Sequence, residues 1–299
     1  MVALRTVDAI ANPTHVENPF LLQKIPGLQA ASKKPPRLRE VFGFMPSSSK
    51  GAVKILPSAE LRWRRPSPSW RGHCSFVVGM MCLASLRGHG AWGVAYPPMD
   101  ADTPKPAVMF LHGMWASPED SCAAFQGAAT PFAFLVCPRG NAPLGDGRMW
   151  SGTYATVAPN VHAALDAAGL LAPGKLDRTG GTLMGFSNGA YFAAEVAQAE
   201  PGRWTGLVLL SMRLELDVAR LRAAGIRRVV LGAGDKDGAR DSMQRLAART
   251  DAAGLPARFI SLGPVGHEFP PDMGARMCDA IAWVREASPD ACRATAPGE

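Results

Sequence analysis

Apolar residues in this chain fall in short continuous runs, separated by stretches in which they recur every three or four positions. Ala107–Leu111 (AVMFL), Phe132–Cys137 (FAFLVC), Thr182–Phe186, Gly206–Leu210 (GLVLL), Arg228–Leu231 and Ala257–Leu262 (ARFISL) have the length and composition of strands buried on both faces. Val157–Leu171, Ala190–Ala199, Val218–Ala224, Ala239–Ala253 and Asp272–Glu286 carry helical spacing and good helix formers. Strands alternating with helices predict an α/β architecture, a mostly parallel sheet with helices on both faces. Local punctuation agrees. Ser117-Pro118-Glu119-Asp120 opens a helix with a hydroxyl cap, a proline in the first turn and acids at the positive end of the dipole, and Pro173-Gly174 stops one.

The turns that leave these strands carry the candidate chemistry. Gly185-Phe186-Ser187-Asn188-Gly189 is a G-x-S-x-G run between a predicted strand and a predicted helix. Its serine must stand on a sharp bend where side chains at the flanking positions would crowd the backbone. Ser187 is therefore the candidate nucleophile. Gly234-Asp235-Lys236-Asp237 follows the Arg228 strand, and Gly263-Pro264-Val265-Gly266-His267 follows the last strand. Serine, then acid, then histidine is the chain order of an α/β-hydrolase site, with His267 as base and Asp235 or Asp237 orienting it. His112-Gly113-Met114 leaves the Ala107 strand, so the backbone N–H groups of Met114 and Asn188 are candidate oxyanion donors. Trp115 and Trp150 are candidate pocket residues; Trp150 ends a glycine-rich stretch, residues 141–153, read as a long loop over the sheet edge, with core packing as its alternative. His162 reads as a solvent-facing position in mid-helix.

Taken together, FLHGM, Gly147-Arg148-Met149-Trp150, GFSNGA, GLVLLS, GAGDKD and GPVGHEFP make residues 108–284 resemble the phospholipase/carboxylesterase family of the α/β-hydrolase fold, similar to acyl-protein thioesterases and bacterial carboxylesterases. The resemblance implies a three-layer sandwich, Asp237 as the acid, and a carboxylesterase or thioesterase activity; no long insertion separates the strands after the nucleophile, so no large lid domain and a fairly open pocket are expected. Two departures from the family pattern, Asn188-Gly189-Ala190 after the nucleophile and Gly238-Ala239 after the acid, bear on substrate class more than on fold.

Composition changes the picture mainly at the N-terminus. The 299 residues carry a formal charge of +7. Residues 1–79 hold 12 Lys/Arg against 4 Asp/Glu, whereas residues 80–299 hold 20 against 21, so the excess belongs to a leader and not to the catalytic part. Pro- and Ser-rich, without sustained period, residues 1–90 read as a largely disordered leader ahead of a hydrolase domain at 91–299. At the end of the leader and just beyond it, four arginines, the apolar Ser75–Leu86 and Gly93-Val94-Ala95 resemble an export signal with a cleavage site; the competing reading makes Ser75–Leu86 and Ala91–Pro97 the first strands of the sheet. Export is the preferred reading, and it goes with a disulfide between Cys122 and Cys137, both expected near strand tops, and a second candidate pair, Cys278 and Cys292.

The six cysteines make no C-x-x-C pair or zinc spacing, the basic leader lacks interleaved aromatics, and no apolar run spans a bilayer. Metal, organic cofactor, nucleic acid and a transmembrane anchor are not expected; a small acyl ester or thioester is. Two other outcomes share the scaffold. One is a non-catalytic binding protein, and the other is an acyltransferase, peptidase or polyester depolymerase using the same three side chains.

Overall fold

The computed structural model describes residues 53–55, 93–100 and 102–293. The chain divides into two units, 1–48 and 49–299; the first lies outside the described residues, as does the apolar segment of the expected export signal.

An eight-stranded sheet organises the second unit. Its strands are β1 (Val53–Ile55), β2 (Gly93–Tyr96), β3 (Ala107–Leu111), β4 (Phe134–Pro138), β7 (Gly181–Phe186), β8 (Trp204–Leu210), β9 (Arg228–Ala233) and β10 (Ala257–Ser261), in the spatial order β1-β2-β4-β3-β7-β8-β9-β10. All neighbours from β4 to β10 pair parallel, while β1 with β2 and β2 with β4 pair antiparallel. This order and the helices on both faces are those of the α/β-hydrolase fold. β1 falls inside the segment read as a leader, and β2 occupies the Gly93-Val94-Ala95 motif read as a cleavage site. Those three residues are buried and paired with β4, so a cut after Ala95 would remove three of the four residues of β2.

Period-two alternation divides the core between the faces. On one side Met109, Leu111, Leu183 and Leu209 pack on α3 (Tyr154–Leu171), α4 (Asn188–Ala199), α5 (Val218–Ala224) and α6 (Arg240–Ala252). On the other, Val108, Phe110, Met184 and Val208 pack on Phe125, Met277 and Ile281, between α1 (Pro118–Cys122), α2 (Gln126–Ala129) and α7 (Met273–Val284); α8 (Asp290–Arg293) follows. A full slip of one residue would send each of these side chains to the wrong layer, and each large one contributes about 1.5–3 kcal/mol by burial, so the register is strongly specified.

Strand order reverses beside β3: the chain steps from β3 outward to β4, then returns to β7 on the other side of β3. In an open parallel sheet such a reversal leaves a crevice above the strand ends. The loop after β3 and the turn after β7 meet there.

Two expectations are corrected. Residues 141–153 are not a structureless loop: β5 (Ala142–Leu144) and β6 (Gly147–Met149) form an antiparallel hairpin around Gly145, which has φ 58°. Backbone pairing across a short glycine turn supplied the order that composition alone did not suggest. The following helix begins at Tyr154, not at residue 157, because Thr153 and Thr156 cap its first turn reciprocally.

Both cysteine pairs are joined. Cys122–Cys137 ties α1 to the end of β4 with a Cα separation of 6.0 Å, and Cys278–Cys292 ties α7 to α8 at 5.9 Å.

Candidate active site

Ser187 stands between β7 and α4 with φ 54° and ψ −124°, a conformation a non-glycine residue adopts only when its surroundings impose it. The imposed geometry explains the flanking glycines. A Cβ at Gly185 would lie 2.3 Å from the Gly189 carbonyl oxygen, and one at Gly189 would lie 2.0 Å from that of Leu111. The Ser187 N–H donates to the Leu210 carbonyl at 2.8 Å, anchoring the turn to the neighbouring strand end.

His267 reaches this turn from the loop after β10. Its Nε2 lies 2.9 Å from Ser187 Oγ, and its Nδ1 lies 3.0 Å from Asp237 Oδ2. Eighty and thirty residues of sequence separate the partners. Backbone bonds bring the two loops together: Asp235 N–H donates to Gly263 O and Lys236 N–H to Val265 O, at a spot where a Cβ on Gly234 would strike the Val265 carbonyl. Phe186 supports the imidazole with ring centroids 5.0 Å apart, and Phe269 packs on Phe186 at 4.8 Å.

The two acids left open by the sequence part company here. Asp237 is buried and accepts from the Ala239 N–H at 2.8 Å, leaving its second oxygen for His267. Asp235 is exposed and accepts from the Ser261 hydroxyl at 2.7 Å and from Arg240 at 3.4 Å. Burial would raise the Asp237 pKa, but the Ala239 N–H, the Ser211 hydroxyl and His267 together outweigh it and hold the carboxyl below its ordinary value. Ser211, buried with φ 55°, acts at electrostatic reach, since its Oγ makes no formal hydrogen bond. Arg213 clasps the same loop from outside, donating through Nε and Nη2 to the Gly238 carbonyl.

Opposite the histidine lies the loop after β3. A Cβ at Gly113 would stand 3.5 Å from the Ser187 Cβ, so the chain passes directly over the nucleophile. His112 is fully buried; its Nδ1–H donates to Gly113 O at 2.7 Å, which leaves Nε2 to accept from the Gly140 N–H at 3.1 Å. Burial holds its pKa below the usual imidazole value, consistent with that neutral tautomer. Trp150 is fully buried beside it and donates Nε1–H to the His112 carbonyl at 3.1 Å. It therefore lines no open pocket, and core packing is its role. The Trp150 N–H donates to Asn188 Oδ1 at 2.8 Å, tying the hairpin to the residue after Ser187. Asn188 opens α4, so its own N–H has no intrahelical acceptor. Met114 and Trp115 are exposed at the mouth, Trp115 with φ 59°.

Some of this was not anticipated. His112, Ser211 and Arg213 act across 25 or more positions or through the backbone, and only the His-Gly turn gave any local signal. His162 is not simply solvent-facing: its Nε2 lies 2.6 Å from Oε1 of Glu200, a buried carboxylate that also accepts from Tyr154 OH and Trp204 Nε1 and pairs with Arg203 Nε at 3.1 Å. That cluster packs at the start of β8, the end of the sheet away from Ser187.

No family model matches the chain, and no curated protein matches it. Solved structures do. The chain is similar to the fluorophosphonate-binding serine hydrolase FphF of Staphylococcus aureus (15% identity, 64% of this chain and 91% of that one, TM-score 0.48). It is also similar to the esterase PE8 (23%, 66% and 98%, 0.48) and to a Bacillus cereus carboxylesterase (18%, 65% and 93%, 0.48).

Proposed function

We propose that this protein is a serine carboxylesterase working through an acyl-enzyme. One observation carries the reading: a single imidazole lies within hydrogen-bond distance of both the Ser187 hydroxyl and the buried Asp237 carboxylate, and that serine sits on a strained turn at the crevice of the sheet.

In this reading His267 Nε2 takes the Ser187 proton as Oγ bonds to the substrate carbonyl carbon. The resulting oxyanion accepts from the backbone N–H groups of Asn188 and Met114. When the C–O bond to the alcohol breaks, His267 returns the proton to the leaving oxygen, and water repeats the sequence to release the acid. Asp237 keeps the proton on Nδ1 and stabilises the transient imidazolium. His112, neutral and wedged between Gly113 and Gly140, holds the Met114 loop in place, so the donor is in position before charge develops. The same steps serve thioesters, and the open mouth at Met114 and Trp115 suits short or exposed acyl groups.

Ser187→Ala should abolish hydrolysis across a panel of 4-nitrophenyl esters and thioesters while the fold persists by circular dichroism. Retention of most of the rate would remove the assignment; inactivity of the parent protein across the whole panel would favour the binding-protein reading. The two disulfides favour an oxidising compartment, with any signal cleavage upstream of β2. Sequencing the mature N-terminus checks this, and a retained chain beginning at Met1 in the cytoplasm would contradict it.

A further inference from the structure

Two arginines stand at the rim of the site. Arg139 follows the end of β4 and Arg148 is the middle residue of β6; among the described residues neither forms an ion pair. Arg148 Nε donates to Gly140 O at 2.8 Å, and among the described residues the Nη edge of the fork has no hydrogen-bond partner. Arg139 is exposed; among the described residues its backbone carbonyl accepts from Asn160 Nδ2 at 2.8 Å and its guanidinium forms no hydrogen bond. Burial and the charge of Arg139 both hold the Arg148 pKa below its usual value, so the two guanidinium groups feel each other.

Their place in the fold is specific. Gly140, whose carbonyl Arg148 holds, gives its N–H to His112, and the next residue, Gly113, covers Ser187. Two residues beyond Arg148, about 7 Å of extended chain, Trp150 bonds to Asn188. The hairpin also sets Trp115: Arg148 N–H donates to Ala116 O at 3.1 Å, and Gly147 packs so closely on the Trp115 backbone that a Cβ would stand 2.2 Å from its carbonyl oxygen. An exposed indole held at φ 59° therefore stands on the backbone that packs against the hairpin carrying Arg148, and among the described residues neither Arg148 nor Arg139 has an ion-pair partner. Two like charges within electrostatic reach of one another oppose folding, and the planar fork of arginine matches a carboxylate through paired charge-assisted bonds.

From this placement we infer that the ester taken by Ser187 carries a carboxylate remote from its scissile carbonyl, bound by Arg148 with Arg139 as the second cation, the apolar stretch between lying on Trp115. The inference rests on the esterase reading above. The anion can belong to the acyl part or to the alcohol part, and matched substrates separate the two. Mono-4-nitrophenyl glutarate against 4-nitrophenyl hexanoate probes the acyl side; 4-acetoxybenzoate against its methyl ester probes the alcohol side.

In one of these pairs, kcat/KM corrected for alkaline reactivity should favour the anion at least tenfold. That preference should shrink with added salt and fall about tenfold in Arg139→Gln and in Arg148→Lys, which keeps the charge but loses the fork. Because Arg148 also holds Gly140, the quantity read is the anionic-to-neutral ratio within each variant, which general loosening of the loop does not move. Preference for the neutral member in both pairs, or a ratio that neither variant alters, would overturn the inference with the esterase reading intact. Absence of turnover for all four substrates together with an unlabelled Ser187 would remove both.

Discussion

Asp237→Asn isolates the electrostatic part of the proposed mechanism with almost no change of shape. In the parent, Oδ1 accepts from the Ala239 N–H at 2.8 Å and Oδ2 faces His267 Nδ1 at 3.0 Å. The asparagine has two orientations. If its amide nitrogen pointed at Ala239, two donors would meet in a buried place, at a cost of about 1–3 kcal/mol. The other orientation therefore wins, placing the NH₂ against Nδ1 and forcing the imidazole proton onto Nε2. An Nε2–H beside Ser187 Oγ cannot accept the serine proton. The expected loss is about 10⁴-fold in kcat, roughly 5.4 kcal/mol at 1.36 kcal/mol per decade. Steady-state and burst kinetics on 4-nitrophenyl acetate read it, with thermal denaturation as the control for folding. Asp235→Asn, two positions away, should stay within about threefold, because its partners are Ser261 and Arg240 and not the imidazole. Activity of Asp237→Asn within tenfold of the parent, or an equal loss in both variants, would refute the reasoning.

Gly189→Ala should cost several kcal/mol of stability and at least a hundredfold in turnover, since the new Cβ would sit 2.0 Å from a strand carbonyl; a thermal melt and activity within twofold of the parent would contradict the elbow geometry. The buried His112 has its pKa below the unfolded value of about 6.5, so the unfolded chain binds the extra proton: stability present above pH 6.5 falls with acidification, by up to about 1.4 kcal/mol per pH unit from this group. Urea unfolding between pH 5 and 7.5 should show that slope and show it reduced in His112→Gln; identical slopes would contradict the assignment. Glu200→Ala removes a carboxylate shared by Tyr154, His162, Arg203 and Trp204 and should destabilise by about 3–5 kcal/mol, while kcat of the folded fraction changes less than twofold. A kcat lowered tenfold at unchanged stability would tie that distant cluster to the chemistry.

What the sequence made legible follows the range of the forces involved. Apolar runs such as AVMFL and GLVLL occupy their strands because burial on both faces leaves little choice of residue, and the order of strands and helices then fixes an α/β sheet. Ser187, His267 and the acid loop stood out because tight turns demand glycines at fixed spacing. The choice of Asp237 over Asp235 was not legible from spacing, since it depends on which carboxylate the Ala239 N–H and His267 share. The hairpin at Ala142–Met149 escaped because its strands are three residues each and not continuously apolar, so no periodicity could announce them. His112, Arg148 and Glu200 act through hydrogen bonds to residues 28, 8 and up to 46 positions away, contacts that local pattern does not encode.

The central claim is that Ser187 is a nucleophile activated where it stands. Reaction with a fluorophosphonate followed by peptide mapping tests it most directly. The account predicts a single stoichiometric adduct on the peptide containing Ser187, absent in Ser187→Ala and strongly slowed in Asp237→Asn. No adduct, or one on another residue with Ser187 unmodified, would contradict it.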